Sequence, residues 1–249
     1  MSVDLSSPTI KTNGETMLGD AAMSNNKKEM LRVRATLEDI KRSYGVMSKS
    51  YATLEGRFEK GLRRRGLELL DVKAGETILE IGVGTGFSLK EIASSVGEVG
   101  KAYGVDITPQ MLQLTKERLE KAGLMGRVKL DEGDARQLPY EDGKFDAVYI
   151  AGTLELFDTP DIPKVLSEIK RVLKPTGRLG IASLSRESKE NSLFLRFYEW
   201  LHQKIPKYAS CRPIYVEQVI KDAGYKIVSR EEFIVLSLAP FKLVVATPA

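Results

Sequence analysis

Among its 249 residues the chain has one cysteine, one histidine and one tryptophan, and it has no long unbroken apolar run. A lone cysteine, Cys211, excludes an internal disulfide and suits a reducing compartment. With only His202 beside it in the inventory, a typical zinc site lacks ligands. No N-terminal apolar stretch resembles a signal peptide. The greasiest region, Phe233 to Ala246, is broken by Pro240 and Lys242 and is too short to span a bilayer. A cytoplasmic location is the expectation. The formal charge of +4 is a small excess over many charges of both signs. It carries no clustered basic face of the kind nucleic acid needs, so no nucleic-acid partner is expected.

What the chain does have is concentrated at residues 78–86, Ile-Leu-Glu-Ile-Gly-Val-Gly-Thr-Gly. The apolar run suits a strand buried on both faces. Gly82, Gly84 and Gly86 let the backbone turn sharply and bring a ligand close to the main chain. Helical spacing resumes near Phe87, so a strand, glycine turn and helix form the first unit of a nucleotide-binding α/β domain. A dinucleotide fingerprint needs Gly-x-Gly-x-x-Gly, but the third position is Phe87 and the extra glycine falls one residue early. The Glu80 carboxylate also fits poorly beside a pyrophosphate and well beside a cation. A nicotinamide or flavin enzyme, and a turn that binds nothing, stay open as alternatives.

Composition divides the chain. Residues 1–28, rich in Ser, Asn, Thr, Gly and Lys, read as a disordered leader; residues 29–70 read as an N-terminal helical cap. From residue 71 to 249 a single catalytic domain is expected. Its strands are placed at Thr77–Ile81, Lys101–Val105, Arg127–Leu130, Phe145–Ile150 and Arg178–Leu184, with helices between them. Thr108 offers an N-cap before Pro109, and Leu112, Leu119 and Ala122 share a face up to the Gly123 stop. A later helix carries Val165, Ile169 and Val172 and stops at Pro175 and Gly177. This alternation implies a doubly wound α/β fold around a mostly parallel sheet. Two final strands, Tyr225–Phe233 and Phe241–Ala246, have no helix between them and should form an antiparallel hairpin.

Asp106 ends the second strand, where a carboxylate can accept hydrogen bonds from both hydroxyls of a ribose. Asp134, after the third strand, can accept from an exocyclic amine; a surface turn is the alternative reading there. Taken together, the glycine turn, the Asp106 strand end, Gly133-Asp134-Ala135, Leu138-Pro139 with Phe145-Asp146-Ala147-Val148, and Val172–Gly177 resemble the successive motifs of class I S-adenosylmethionine (SAM) methyltransferases. The resemblance covers roughly residues 40–249. It implies a Rossmann-like, seven-stranded methyltransferase fold and SAM as cofactor. It also implies that Glu80 and the Gly82–Gly86 backbone hold the methionine portion, Asp106 the ribose, Asp134 and Ala135 the adenine, and that Ile107 packs on the adenine ring. Ala151 to Leu154 would line the methyl-transfer site.

The nearest resemblance is to the ubiquinone/menaquinone biosynthesis C-methyltransferases. Tyr44 and Tyr51 look like their aromatic pair that closes over the cofactor, although the Asp usual after the second aromatic is Ala52 here. The implied acceptor is small and lipid-like, such as a prenylated quinol. A phospholipid ethanolamine N-methyltransferase is the alternative, followed by a non-catalytic SAM-binding protein. A lid insertion is expected at about 186–212. Within it, residues 193–205 place Phe194, Phe197, Trp200 and Leu201 together on a helix that can pack inward, cover an apolar substrate or contact a membrane peripherally. His202 and Tyr51 are the catalytic candidates, His202 because its ordinary pKa lies near neutrality. A homo-oligomer is compatible with all of this.

Overall fold

A computed structural model describes residues 30–33, 36, 38–45, 60–187, 192–204, 211–235 and 238–249. The expected leader and Tyr51 lie outside these residues. The described chain forms α1 (38–45), α2 (Lys60–Leu70), β1 (Thr77–Ile81), α3 (Phe87–Ser95), β2 (Lys101–Asp106), α4 (Pro109–Lys121), β3 (Val128–Glu132) and β4 (Phe145–Ala151). It continues with α5 (Ile162–Val172), β5 (Leu173–Leu184), α6 (Leu193–Lys204), α7 (Val216–Asp222), β6 (Tyr225–Val235) and β7 (Ala239–Pro248).

The strands make one seven-stranded sheet in the order β3-β2-β1-β4-β5-β7-β6. β1 to β5 pair in parallel, and β7 runs antiparallel to both β5 and β6. The doubly wound architecture with its terminal hairpin is therefore present. Strand order reverses between β1 and β4, where neighbouring crossovers leave on opposite faces and open a crevice at the carboxyl ends.

Apolar residues explain the layers. One core joins Leu79, Ile81, Val148 and Ile150 to α5 and α7. The other joins Ile78, Ala147 and Tyr149 to α2, α3 and α4. Residues one step apart on a strand thus serve opposite faces. On α5, Ile162, Val165, Leu166, Ile169 and Val172 are all buried, a helical stripe of the kind that anchors a surface helix. α2 approaches the sheet closely because Gly66 has no side chain; a Cβ there would sit 2.3 Å from the Tyr149 hydroxyl.

Several expected boundaries move. α5 ends at Val172 and β5 begins at once, so Pro175 and Gly177 lie within the strand rather than stopping the helix. Phe145 pairs with Leu173 but Ala147 pairs with Arg178, so residues 174–177 form a bulge. On α4 the buried face is Met111, Thr115 and Leu119, and Ala122 is exposed at the C-cap. Thr108 makes no side-chain cap; its own N–H is held at 2.9 Å by the Asp106 carboxylate.

The N-terminal cap region divides in two. α1 starts with a reciprocal capping box, in which Thr36 Oγ1 accepts from the Asp39 N–H and the Asp39 carboxylate accepts from the Thr36 N–H. Residues 30–33 precede it as a strap over the loop that follows β4. α2, by contrast, lies on the sheet.

Candidate functional site

The crevice at the β1/β4 reversal is a cleft open to solvent and ringed by carboxyl-terminal strand ends. Gly82 and Gly84 form one wall, Asp106, Ile107 and Met111 a second, and Gly133 to Arg136 a third. Ala151 to Thr153 form the fourth side, and Val33, Ile40 and Tyr44 line the cleft from the N-terminal segment.

The glycine turn is locked from within. The Gly82 N–H donates to Val105 O at 2.8 Å and the Gly86 N–H to Val83 O at 2.8 Å. The Gly84 N–H donates to Asp106 Oδ2 at 3.0 Å. All three glycines have positive φ. At Gly82 the need for glycine is twofold, because a Cβ would meet Thr153 Oγ1 at 2.3 Å as well as a left-handed backbone. None of these three N–H groups is left to cradle a phosphate, which is what a pyrophosphate site requires.

Asp106 is buried at the cleft wall and accepts from two main-chain N–H groups, those of Gly84 and Thr108. Burial raises its carboxyl above the ordinary aspartate value, and the hydrogen bonds from Gly84, Thr108 and Ile107 only partly offset that. Each carboxylate oxygen accepts more than one hydrogen bond, so acceptor capacity remains for a ligand.

Asp134 also lines the cleft, but it is engaged. Arg136 reaches it through Nε and a terminal nitrogen, at 3.0 and 2.6 Å, and bridges on to Asp161 at 2.9 Å. Burial pushes the Asp134 carboxyl up, and the Arg136 side-chain and backbone hydrogen bonds pull it below its usual value. The expected contact from Asp134 to an exocyclic amine therefore shares its acceptor with an arginine.

Of the expected binding residues, Tyr44, Gly82, Gly84, Asp106, Ile107, Asp134, Ala135 and Ala151 converge on the cleft. Gly86 does not line it; it turns the chain into α3 against Thr115. Glu80 does not line it either. Its side chain is wholly buried on the sheet face shared with Ile78 and Tyr149, one residue below the cleft wall. His202 is not brought to the cleft. It is 2% exposed, with Nε2 3.4 Å from the Arg32 carbonyl, and so packs under the strap instead of facing a substrate.

The helix reading for residues 193–205 also changes. Phe197 and Trp200 are exposed and stack on each other, whereas Leu195 and His202 are buried. Phe194 and Leu201 are half-buried, so the four apolar residues lie on one side of the helix and grade from half-buried to exposed.

Three features were missed by sequence reasoning. Arg63 of α2 is buried and lines the cleft beside Gly152. The strap is tied down by Arg32, whose guanidinium grips Asp158 at 2.6 and 2.8 Å while the Val33 N–H donates to the same carboxylate. Arg212 is fully buried and donates to the Leu31 carbonyl, to Glu155 O at 3.2 Å and to Thr159 Oγ1 at 3.0 Å. Burial pulls its pKa down to about 10. The Arg63 signal was an Arg-Arg-Arg run that also reads as solvated charge; Arg32 sits in no motif.

Glu155, just beyond β4, is also buried. Its carboxylate accepts from Ser183 Oγ at 2.8 Å and from the Leu184 N–H at 3.2 Å, joining the ends of β4 and β5.

Comparison with known proteins fits this geometry. Residues 78–177 match the family model described as "Methyltransferase domain". The demethylmenaquinone methyltransferase of Bacillus mycoides is 36% identical over 157 residues, covering 63% of each chain. That of Lactobacillus johnsonii is 35% identical over 151 residues, covering 61% of this chain and 60% of the relative. The chain thus spans less than two thirds of these relatives' length. Among solved structures, a SAM-dependent methyltransferase from Aquifex aeolicus has a TM-score of 0.60 at 24% identity, over 82% of this chain and 98% of its own. A chain from the Haloferax volcanii complex of a methyltransferase and its activator has a TM-score of 0.67 at 17% identity, over 83% and 98%. The fold is the Rossmann-like methyltransferase fold.

Proposed function

We propose, from the premise that residues 78–177 are a methyltransferase domain, that this chain is a SAM-dependent methyltransferase whose acceptor is a small, lipid-like prenylated quinol. The observation that carries the reading is the locked glycine turn. Its three glycine N–H groups are spent inside the protein, one of them on Asp106, so the crevice suits a phosphate-free ligand. Support for the acceptor comes from the relatives named demethylmenaquinone methyltransferase.

The residues present fit the cofactor. Asp106 offers acceptor capacity for ribose hydroxyls, and Ile107 and Met111 offer an apolar slot for a flat base. Ala135 adds a small wall beside that slot. Arg63 supplies a cation for the carboxylate of an amino-acid moiety, at the same end of the cleft as Gly82 and Gly152. Of the acids that line the cleft, Asp134 and Asp161 are paired with Arg136 and Asp158 with Arg32, whereas the hydrogen bonds to Asp106 come from Gly84 and Thr108, so Asp106 is the acid best placed to face a ligand.

When bound, SAM supplies a methyl group on a positive sulfur, already a good electrophile. The chain then has to align the acceptor and keep water out. Val33, Ile40 and Tyr44 line the cleft from the N-terminal segment, and Leu156 and Phe157 add apolar lining beyond β4 for an aromatic ring. Held beside Asp106 and Ala151, SAM would supply its methyl to a nucleophilic ring carbon of the quinol and would leave as the neutral thioether, the displaced ring proton passing to solvent.

Calorimetry with SAM tests the cofactor site. Asp106→Ala should weaken binding about a hundredfold or more, the loss of two hydrogen bonds to a charged acceptor. Wild-type affinity should also fall on acidification at a pH above the ordinary aspartate range, because a raised carboxyl is protonated earlier. Incubation with labelled SAM and a prenylated naphthoquinol should give a labelled ring-methylated product. Tight NAD(H) binding without SAM binding would overturn the reading, and a labelled ethanolamine lipid would replace the acceptor.

A further inference from the structure

α6 exposes the wrong face for a helix that only packs. Its exposed residues are Leu193, Arg196, Phe197, Trp200, Gln203 and Lys204. They fall at spacings of three, four, seven, ten and eleven from Leu193, which places them on one side of the helix. Three large apolar side chains stand there at 79%, 59% and 52% exposure for Leu193, Phe197 and Trp200. Phe197 and Trp200 stack with ring centroids 5.9 Å apart, forming a continuous ridge.

The charges on this face have one sign. Arg196 and Lys204 flank the ridge, and the only acid of the helix, Glu199, turns away into an ion pair with Arg186 and is 13% exposed. The opposite side is anchored: Leu195 and His202 are buried, and Tyr198 is hydrogen-bonded to Cys211. His202 rests on the carbonyl of Arg32, in the strap whose Val33 lines the cleft.

We propose that this face of α6 docks the protein on an anionic phospholipid bilayer. A helix with Trp, Phe and Leu beside Arg and Lys, and no exposed acid, matches the chemistry of the bilayer interface: rings and aliphatic chains enter the headgroup boundary, and cations meet lipid phosphates. A soluble partner with an acidic apolar groove is the competing occupant. The ridge of convex aromatic side chains flanked by cations on the same helix favours a lipid surface, which accommodates both. Docking by α6 sets the strap and cleft opening near the membrane. The inference deepens the proposed function, since a lipid-like acceptor is then reached from the bilayer, and in that respect it rests on that reading.

Trp200 is the only tryptophan, so its fluorescence reports the face directly. The full chain is mixed with phosphatidylglycerol/phosphatidylcholine vesicles and, separately, with pure phosphatidylcholine vesicles. The expected result is a blue shift of Trp200 emission and co-sedimentation with the anionic vesicles. Phe197→Ser should weaken that binding about tenfold or more, the effect of removing one large apolar side chain from the interface. The double variant Arg196→Gln, Lys204→Gln should lower it further at low salt than at high salt.

Unchanged emission at saturating anionic lipid overturns the proposal, as does vesicle binding that Phe197→Ser leaves intact. A concentration-dependent dimer lost in Phe197→Ser, with no vesicle binding, also overturns it and assigns the face to a second copy. SAM affinity measured on the same proteins separates the two claims. Vesicle binding without SAM affinity sinks the function and keeps the docking face; SAM affinity without vesicle binding does the reverse.

Discussion

At the glycine-turn end of the cleft, the chain is fixed by main-chain N–H groups that donate to the adjoining strand β2, Gly82 to the Val105 carbonyl and Gly84 to the Asp106 carboxylate, residues 22 apart. At the strap end it is fixed by side chains reaching across the sequence: Arg32 to Asp158, 126 residues apart, and Arg212 to the Leu31 carbonyl, 181 apart. The first end is part of the sheet and its two cores; the second is a cover laid on afterwards. A turn built into a sheet moves only if the sheet does, whereas a strap held by a few side chains can open without disturbing the core. Such a division suits a site that must hold one ligand firmly and admit another.

The sharpest way to break the contrast is at Gly82. Gly82→Val adds a side chain in a left-handed backbone and against Thr153, and should cost about 3 kcal/mol or more of stability. Thermal unfolding checks this. In Gly82→Ala, adding Thr153→Gly should recover the steric part and leave the backbone part; no recovery would mean that the contact with Thr153 is not what fixes the turn.

Next comes Arg212→Met. The variant removes the donor from one buried and two part-buried acceptors and should cost about 2–4 kcal/mol. Limited proteolysis should show the loss first between residues 30 and 45, with the sheet intact. Uniform unfolding of both ends would erase the distinction between sheet and cover.

The smallest effect is expected for Arg32→Gln, because Arg32 is solvent-exposed and surface ion pairs contribute little. Its sign with pH is still definite. The Arg32 hydrogen bonds hold the Asp158 carboxyl at about 2, below the ordinary aspartate value of 3.8. A lowered carboxyl stabilises the fold above its unfolded pKa and loses that contribution as pH falls through about 2. The small difference in thermal midpoint between wild type and Arg32→Gln should therefore be present at neutral pH and vanish near pH 2. A difference independent of pH would assign the effect to packing.

Legibility followed the same division. Ile78 to Ile81, the glycines and Asp106 were readable because a buried strand, a sharp turn and a strand-end acid each leave a local pattern in the chain. The terminal hairpin was readable for the same reason, although both strands run longer than their apolar cores. The end of α5 was misplaced because Pro175 and Gly177 are breakers in either context, and here a bulge accommodates them. For α6 the sequence left inward packing, substrate cover and membrane contact open, because spacing alone does not say which side of a helix is buried; Leu195 and His202 set that side. His202 itself illustrates the difficulty: an imidazole in a helix has the same sequence signature whether it faces a cleft or a carbonyl.

By itself, the order of apolar runs, glycines and strand-end acids determined the parallel sheet, the place of the crevice and many of the residues that line it. Those properties depend on backbone geometry and burial, which act between near neighbours and repeat with the period of strand or helix. Only the tertiary structure decided that Glu80 lies beneath the cleft wall, that Arg63 and the 30–33 strap belong to the site, and that Trp200 faces outward. Each of these depends on which distant segment occupies a given volume, and close packing of the whole chain fixes that.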